Sequence, residues 1–157
     1  MCSSDLVPRQ GVFVPRRDPA ALAEMFVARE ALEGMVARLA AQKPDPADVR
    51  RLEVALLDQR SAMENDNEAA YAEGALVFHQ TVMTMGRNAV IERLLLTLYD
   101  RTRVMCRADG PRRAGLVQRW EEHARLWDAI RARKPDDAER EARAHIRTLA
   151  QEAGVTG

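Results

Sequence analysis

Apolar residues recur through most of the chain at steps of three and four, and charged residues occupy many of the positions between them. This spacing places apolar side chains along one face of an α-helix. Stretches rich in proline, glycine, asparagine and aspartate interrupt the pattern and divide it into segments. The pattern predicts six helices, at about residues 19–42, 47–63, 69–85, 89–108, 112–133 and 136–152. Six helices with short connections predict an all-α fold, an antiparallel bundle.

Residues at the ends of the segments support these boundaries. Asp18 is suited to the N-cap of the first helix, and Pro19 to its first turn. Gly86 is placed to end the third helix and Asn88 to cap the fourth. The fourth segment is the most apolar and is predicted to be the central helix of the bundle; its stripe contains Ile91, Leu94, Leu95, Leu98 and Met105.

The first 18 residues differ from the helical remainder. Residues 1–6, MCSSDL, are interpreted as a non-native end, because CSSDL is also the translation of a common sequencing adapter, or as an ordinary disordered N-terminus. Val12, Phe13 and Val14 form a short β-prone run between Gly11 and Pro15. Two interpretations are open for this run, a linker or the last strand of a winged DNA-binding domain. We therefore divide the chain into residues 1–18 and an all-helical domain at 19–157.

Composition narrows the class of protein. Lys plus Arg and Asp plus Glu both total 24, so the chain lacks the overall basic charge typical of a nucleic-acid-binding domain. Aromatic residues make up 4% of the chain, and good helix formers dominate. The two cysteines, Cys2 and Cys106, do not make a disulfide framework. With neither a signal-peptide pattern nor an apolar run long enough for a membrane, we expect a cytoplasmic location and no membrane partner.

The three histidines of the chain are the candidate chemistry. His79, His123 and His145 lie in three different predicted helices, each on or beside the apolar stripe. If these helices pack antiparallel, the imidazoles can converge inside the bundle and bind a divalent metal. The alternative is that they are packed core residues without a ligand. The sequence has no HExxH and no cysteine pair near a histidine, so a zincin or zinc-finger site is excluded, and three nitrogen ligands suit Zn or Ni.

Four segments carry a resemblance to a known family. They are AREALEGMVARLAAQ (Ala28–Gln42), FHQTVMTMGRN (Phe78–Asn88), EEHARLWDAI (Glu121–Ile130) and DAEREARAHI (Asp137–Ile146). In this order and spacing the chain resembles the ligand-sensing FCD domain of FadR-like GntR transcription regulators, over nearly all of residues 19–153. The run RQGVFV (Arg9–Val14) resembles the end of the wing that precedes this domain in such regulators. The resemblance therefore implies that an N-terminal winged-helix domain is missing here.

The resemblance implies an effector-sensing and dimerisation domain that binds a small carboxylate beside a divalent metal. The metal would be held by His79, His123 and His145, which match the family's histidine positions. The family also uses an aspartate one turn before the first histidine, where this chain has Ala75. Loss of a hard anionic oxygen disfavours Mn, so we expect Zn or Ni rather than Mn.

Three residues are predicted to contact the effector. Arg29 matches an arginine that faces the ligand cavity in the family, and a guanidinium on an apolar stripe needs an anion; the alternative is an ion pair with Glu33 at i+4. Arg103 is the second candidate, with a solvated helix face as its alternative. Asn88 is the third, with a helix cap as its alternative.

The resemblance implies a regulatory protein rather than an enzyme. The expected partners are a small organic acid, a second copy of the chain in a homodimer, and DNA through the missing N-terminal domain. One alternative is a metal-dependent hydrolase, for which Glu141, one turn before His145, is the best-placed general base. Glu122 adjoins His123, but successive helical residues point about 100° apart. The other alternative is a helical interaction module with unliganded histidines.

Overall fold

The computed structural model describes residues 18–105 and 113–155, and within these ranges it contains six α-helices and no strand. They are α1 (Pro19–Gln42), α2 (Pro46–Glu64), α3 (Glu68–Met85), α4 (Ala89–Met105), α5 (Arg113–Arg131) and α6 (Pro135–Glu152). The predicted all-α fold is confirmed. The β-prone run at 12–14 and the last three residues predicted for the fourth helix lie outside the described ranges.

Side-chain caps begin α1 and α4 where the sequence predicts them. The Asp18 carboxylate accepts hydrogen bonds from the backbone N–H groups of Ala20 and Ala21, at 3.1 and 3.3 Å. Asn88 does the same at the start of α4, where its Oδ1 accepts from the N–H groups of Val90 and Ile91. These bonds satisfy backbone donors that have no partner within the helix.

Helix α1 is the centre of the bundle, since it packs against α3, α4, α5 and α6. Ala37, Ala40 and Ala41 are fully buried on α1, and such small side chains let neighbouring helices approach closely. The main core extends from these alanines to side chains of α2, α3, α5 and α6, including Leu52, Phe78, Val82, Ile130 and Ala142.

The prediction that α4 is the central helix was wrong. Val90 and Leu94 are 58% and 51% exposed, and Leu96 also faces outward. Among the described side chains of α4, only Leu95 and Thr102 are buried. Apolar residues occur around much of this helix. The total number of apolar residues therefore did not show which face of α4 packs against the rest of the bundle.

Gly86 ends α3 as predicted, but it is needed for space rather than for its backbone conformation. Its φ is −64°, whereas the next residue, Arg87, has the positive φ of 50°. A Cβ at position 86 would lie 2.1 Å from Cγ2 of Val36. The glycine therefore lets the end of α3 lie directly against α1.

Two tryptophans connect α5 to α2. The Nε1 of Trp120 donates to the Leu56 carbonyl at 3.0 Å, and that of Trp127 donates to the Val49 carbonyl at 3.2 Å. Their rings pack against the main core, so each combines apolar burial with a satisfied N–H group. None of the described helices combines the length and the apolar character that crossing a membrane requires.

Candidate metal centre

The structure brings the three histidines together, as the sequence predicted. His79 on α3, His123 on α5 and His145 on α6 meet in the interior, and they are 9%, 1% and 2% exposed. The Nε2 atom of His123 lies 3.2 Å from the Nε2 atoms of both His79 and His145. One nitrogen from each ring lies within 4.8 Å of the others. The cluster therefore presents three ligand atoms to one point.

Gln59 of α2 orients His123. Its side-chain Nε2 donates to the Ala55 carbonyl at 3.1 Å, which turns Oε1 towards the imidazole. Oε1 lies 2.7 Å from Nδ1 of His123, so that nitrogen carries the proton and donates it. The Nε2 atom is then left with a free lone pair. Gly74 leaves room for this amide, because a Cβ there would lie 3.0 Å from Cγ of Gln59.

Glu122 orients His145 in the same way. One carboxylate oxygen lies 2.7 Å from Nδ1 of His145, and the other accepts a hydrogen bond from the Thr148 hydroxyl at 2.8 Å. Burial would raise the pKa of Glu122, but these hydrogen bonds lower it below its usual value. An ionised acceptor therefore holds the proton of His145 on Nδ1.

Glu33 of α1 is the polar partner of His79. Its Oε2 lies 3.4 Å from Nδ1 of His79 and accepts from the Tyr99 hydroxyl at 3.0 Å. Its Oε1 accepts from Nε of Arg29 at 2.9 Å, and Nη1 of Arg29 donates to the Thr102 hydroxyl. Burial opposes ionisation of both partners, yet their ion pair raises the pKa of Arg29 and lowers that of Glu33 to about 2.

This donor set fits a metal ion. Each Nδ1 faces an acceptor oxygen, and the Nε2 lone pairs point at one another, which is unfavourable unless a cation or proton lies between them. Two imidazole nitrogens on one tetrahedral zinc lie about 3.3 Å apart, given zinc–nitrogen bonds of about 2.0–2.1 Å. The two Nε2–Nε2 separations of 3.2 Å agree with that value.

The imidazoles of His79 and His123 are also in the protonation state that a metal requires. Burial lowers the pKa of His79, and it lowers the pKa of His123 well below its usual value. Neutral imidazole is the ligand form, so these two rings need not lose a proton to bind a metal at neutral pH.

The space beside the histidines is small. A cavity of about 10 Å³ lies between His79, His145, Glu33 and Ala142, which is room for about one water molecule. A second cavity, of about 80 Å³, lies between α3 and α4 and is lined by Tyr99, Arg103 and other residues. Pockets for larger metabolites span several hundred Å³. A metabolite that reaches the histidines therefore requires side chains to move.

The predicted effector contacts fall in different places. Arg29 is buried next to the histidine cluster and has the ion pair with Glu33 that was its alternative interpretation. Arg103 is exposed and lines the second cavity. Asn88 lines neither cavity, and its Oδ1 caps α4.

Three residues that contact the histidines were not identified from the sequence as part of the site. Glu33 was recognised only as a partner of Arg29, and nothing singled out Gln59. Glu122 was discounted because it points away from its neighbour His123, but it faces His145 on the next helix. Glu141, the preferred base of the hydrolase alternative, instead forms ion pairs with Arg125 and Arg140.

The fold and the site together define an all-helical domain built around a buried cluster of three imidazoles. Residues 24–148, most of the chain, match the FCD domain family. The chain belongs to that family, and its relatives are transcription regulators of the GntR family.

Two curated relatives are regulators of Escherichia coli. The chain is 29% identical over 126 residues to the galactonate operon transcriptional repressor, which covers 80% of this chain and 54% of the relative. It is 30% identical over 143 residues to the Glc operon transcriptional activator, with 83% and 54% covered. The chain thus spans about half the length of these relatives.

Two solved structures have the same fold. Streptococcus agalactiae GntR matches with a TM-score of 0.75 and 20% identity, over 87% of this chain and 61% of that one. Escherichia coli McbR/YncC matches with a TM-score of 0.84 and 18% identity, over 95% and 71%. At these identities the likeness establishes the fold alone.

Proposed function

We propose that residues 19–157 form the effector-sensing and dimerisation domain of a GntR/FadR-type transcription regulator. The domain binds a small carboxylate metabolite near a divalent metal held by His79, His123 and His145. The observation that carries this proposal is the cluster of three Nε2 atoms, with each opposite ring nitrogen next to an acceptor oxygen. Partners of this kind fix ring orientation in protein metal sites.

The ligand set favours Zn or Ni over Mn. Three neutral nitrogens suit borderline metals, whereas Mn prefers carboxylate oxygens. Position 75, one turn before His79, holds an alanine that packs against the cluster of Ala62, Tyr71 and Leu116. When bound, the metal supplies open coordination positions that the oxygens of a carboxylate effector can take.

The positions of the three candidate effector contacts set their order. Arg29 is the first, because its buried guanidinium lies next to the partner of His79. Arg103 is the second, because it lines the larger cavity next to the site: Met83 lines this cavity and the one beside the histidines, and Tyr99 lines it and donates to Glu33. Asn88 is the third, and only its amide Nδ2 is left for an effector.

Regulation accounts for the site better than hydrolysis does. Glu141 is paired with Arg125 and Arg140, and Glu122 is engaged by His145 and Thr148. Neither carboxylate is placed to activate a water molecule at the Nε2 cluster. The names of the two curated relatives, a repressor and an activator of operons, support the same choice.

Effector binding would regulate DNA binding through a homodimer. Val90 and Leu94 lie one turn apart on α4 and are exposed, as are Val27 and Met35 on α1. Apolar residues grouped on an exposed helix are typical of protein interfaces. A dimer of the whole protein would hold two DNA-binding domains, and we expect these to lie outside the helical domain; the match to only about half of the relatives' length supports this expectation. Light scattering should give twice the monomer mass, and Leu94→Glu should give the monomer.

A metal and ligand panel tests the proposal. Protein purified without a histidine tag should contain about one Zn or Ni per chain after loading, and EDTA should lower its Tm. Organic acids, including galactonate, should raise the Tm of the metal-loaded protein according to the logarithm of ligand concentration. Absence of metal in His79→Ala, His123→Ala and wild-type protein alike would refute the metal site.

The residue at position 75 offers a test of metal preference. Ala75→Asp places a carboxylate one turn before His79, on the same side of α3. We expect the affinity for Mn to rise relative to Zn. An unchanged ratio of the two affinities would show that position 75 does not reach the metal.

A further inference from the structure

The side chain of Glu33 lies between the two groups that the proposed function assigns to the effector. Its Oε1 accepts from Arg29 at 2.9 Å, and its Oε2 lies 3.4 Å from Nδ1 of His79. Tyr99 donates its hydroxyl to the same Oε2. A carboxylate of the chain itself thus already holds the ion pair with Arg29 that a carboxylate ligand would have to form, and it does so beside a histidine of the cluster.

There is no room for a second carboxylate beside Glu33. The adjoining cavity of about 10 Å³ holds about one water molecule. The guanidinium of Arg29 is 4.1 Å from the centre of the Tyr99 ring, 5.4 Å from that of Phe26, and bonded to Thr102. An external carboxylate can bind Arg29 at this position only if Oε1 of Glu33 leaves it.

The buried charges indicate what kind of ligand makes this exchange. Arg29, Glu33 and Glu122 are the charged side chains, histidines aside, that are buried in the described part of the chain. A divalent metal and Arg29 together carry three positive charges, and the two carboxylates carry two negative ones. One further negative charge balances the site, whereas a neutral ligand leaves the excess charge buried, which is costly.

We propose that Glu33 is a built-in occupant of the effector's anion site, and that a ligand with a single carboxylate displaces Oε1 of Glu33 from Arg29. The proposal rests on the proposed function for its ligand class. Glu33 keeps Tyr99 and His79 as partners of Oε2 during the exchange, so it remains hydrogen-bonded. The ligand's carboxylate takes over the ion pair with Arg29, so the guanidinium is paired both before and after binding.

Acetate is the probe, because it carries the carboxylate and almost nothing else. Glu33→Gln removes the competing charge with little change in shape, and Glu33→Asp withdraws the carboxylate from Arg29 while it keeps the charge. Acetate affinity is measured from the Tm as acetate replaces chloride at constant ionic strength. We expect affinity to rise at least about tenfold in Glu33→Gln, because the binding-competent state no longer has to be created.

Four further comparisons make the result specific. Glu33→Asp should also bind acetate more tightly than wild type, and it tests the proposal if Glu33→Gln does not fold. Glu30→Gln, on the same helix but paired with Arg147 at the surface, should bind acetate as wild type does. Acetamide, the neutral analogue, should show no gain in any variant, and Arg29→Gln combined with Glu33→Gln should lose the gain.

Titrations run with Zn²⁺ and with EDTA separate this proposal from the metal site. If wild type binds no Zn²⁺, the metal site is refuted, but the gain of the Glu33 variants should still be measurable in EDTA because Arg29 is present. If Zn²⁺ binds and neither Glu33 variant gains acetate affinity in either condition, the displacement of Glu33 is refuted and the metal site stands.

Discussion

Gln59 provides the sharpest test of how the histidine cluster is held together. The side chain is fully buried, and its Oε1 is the acceptor for Nδ1 of His123 at 2.7 Å. Gln59→Leu replaces the amide with an apolar group of similar size and leaves the Nδ1 proton without an acceptor. A buried donor without a partner costs about 1–3 kcal/mol.

The variant can avoid this unpaired donor only if His123 no longer offers Nε2 as a metal ligand. If the proton of His123 moves from Nδ1 to Nε2, it can be shared with the nitrogen of His79 or His145, each 3.2 Å away. The lone pair that would bind the metal is then lost. Removal of such an orienting partner lowers metal affinity about 10–100-fold, or about 1.4–2.7 kcal/mol.

The assay is metal-linked stability. At a Zn²⁺ concentration of about one hundred times the wild-type Kd, the metal stabilises the fold by about 2.7 kcal/mol. The same concentration should stabilise Gln59→Leu by only about 0.4–1.4 kcal/mol, given the lower affinity. Urea unfolding with Zn²⁺ and with EDTA measures both values, and competition with a chromogenic chelator measures affinity directly.

A matched control is Gln151→Leu, since Gln151 is exposed on α6. That variant should keep the full Zn²⁺ stabilisation. If Gln59→Leu also keeps wild-type affinity for Zn²⁺, the orienting role of Gln59 is wrong, and the 2.7 Å contact is a packing detail without effect on the metal.

Three further predictions concern stability. In EDTA the free energy of unfolding should fall as the pH drops below about 6.5, by up to about 1.4 kcal/mol per pH unit for each ring. Burial lowers the folded-state pKa of His79 and His123, so the unfolded chain takes up protons first. Urea midpoints that stay flat between pH 7.5 and 5.5 would contradict this prediction. Gly86→Ala should lower the free energy of unfolding by about 1–3 kcal/mol, since the added Cβ meets Val36 at 2.1 Å. Val36→Ala in the same chain should recover part of this stability. If denaturant unfolding shows that the costs of the two substitutions simply add, the contact is not the cause. Lys134→Ser should stabilise the fold by about 0.5–2 kcal/mol because α6 has no side-chain cap, and an unchanged Tm would count against it.

Most of the helical architecture was predictable because the residues that begin and line a helix lie close together in sequence. Asp18 and Asn88 were identified as caps from residue type and position, and the bonds that they form reach no further than three residues. The convergence of the histidines was also predictable, since each lies on the stripe of a helix that has to face the interior.

The position of α4 was not predictable in the same way. Its leucines and valines satisfy the apolar pattern of a central helix, yet α1 holds that place and Leu94 is 51% exposed. Apolar content measures the tendency of a face to be covered. It does not distinguish cover by the same chain from cover by another molecule.

The partners of the histidines depend on packing between helices that are far apart in sequence. Gln59 and His123 are 64 residues apart, and Glu122 and His145 are 23 apart. No periodicity relates such pairs, because their contact depends on how each helix is rotated and shifted against the next. Local residue preferences thus specify the helices, the Arg29–Glu33 pair within α1, and the imidazoles that face the interior. The packing of whole helices selects the oxygens that hold each ring and places Glu33 beside His79.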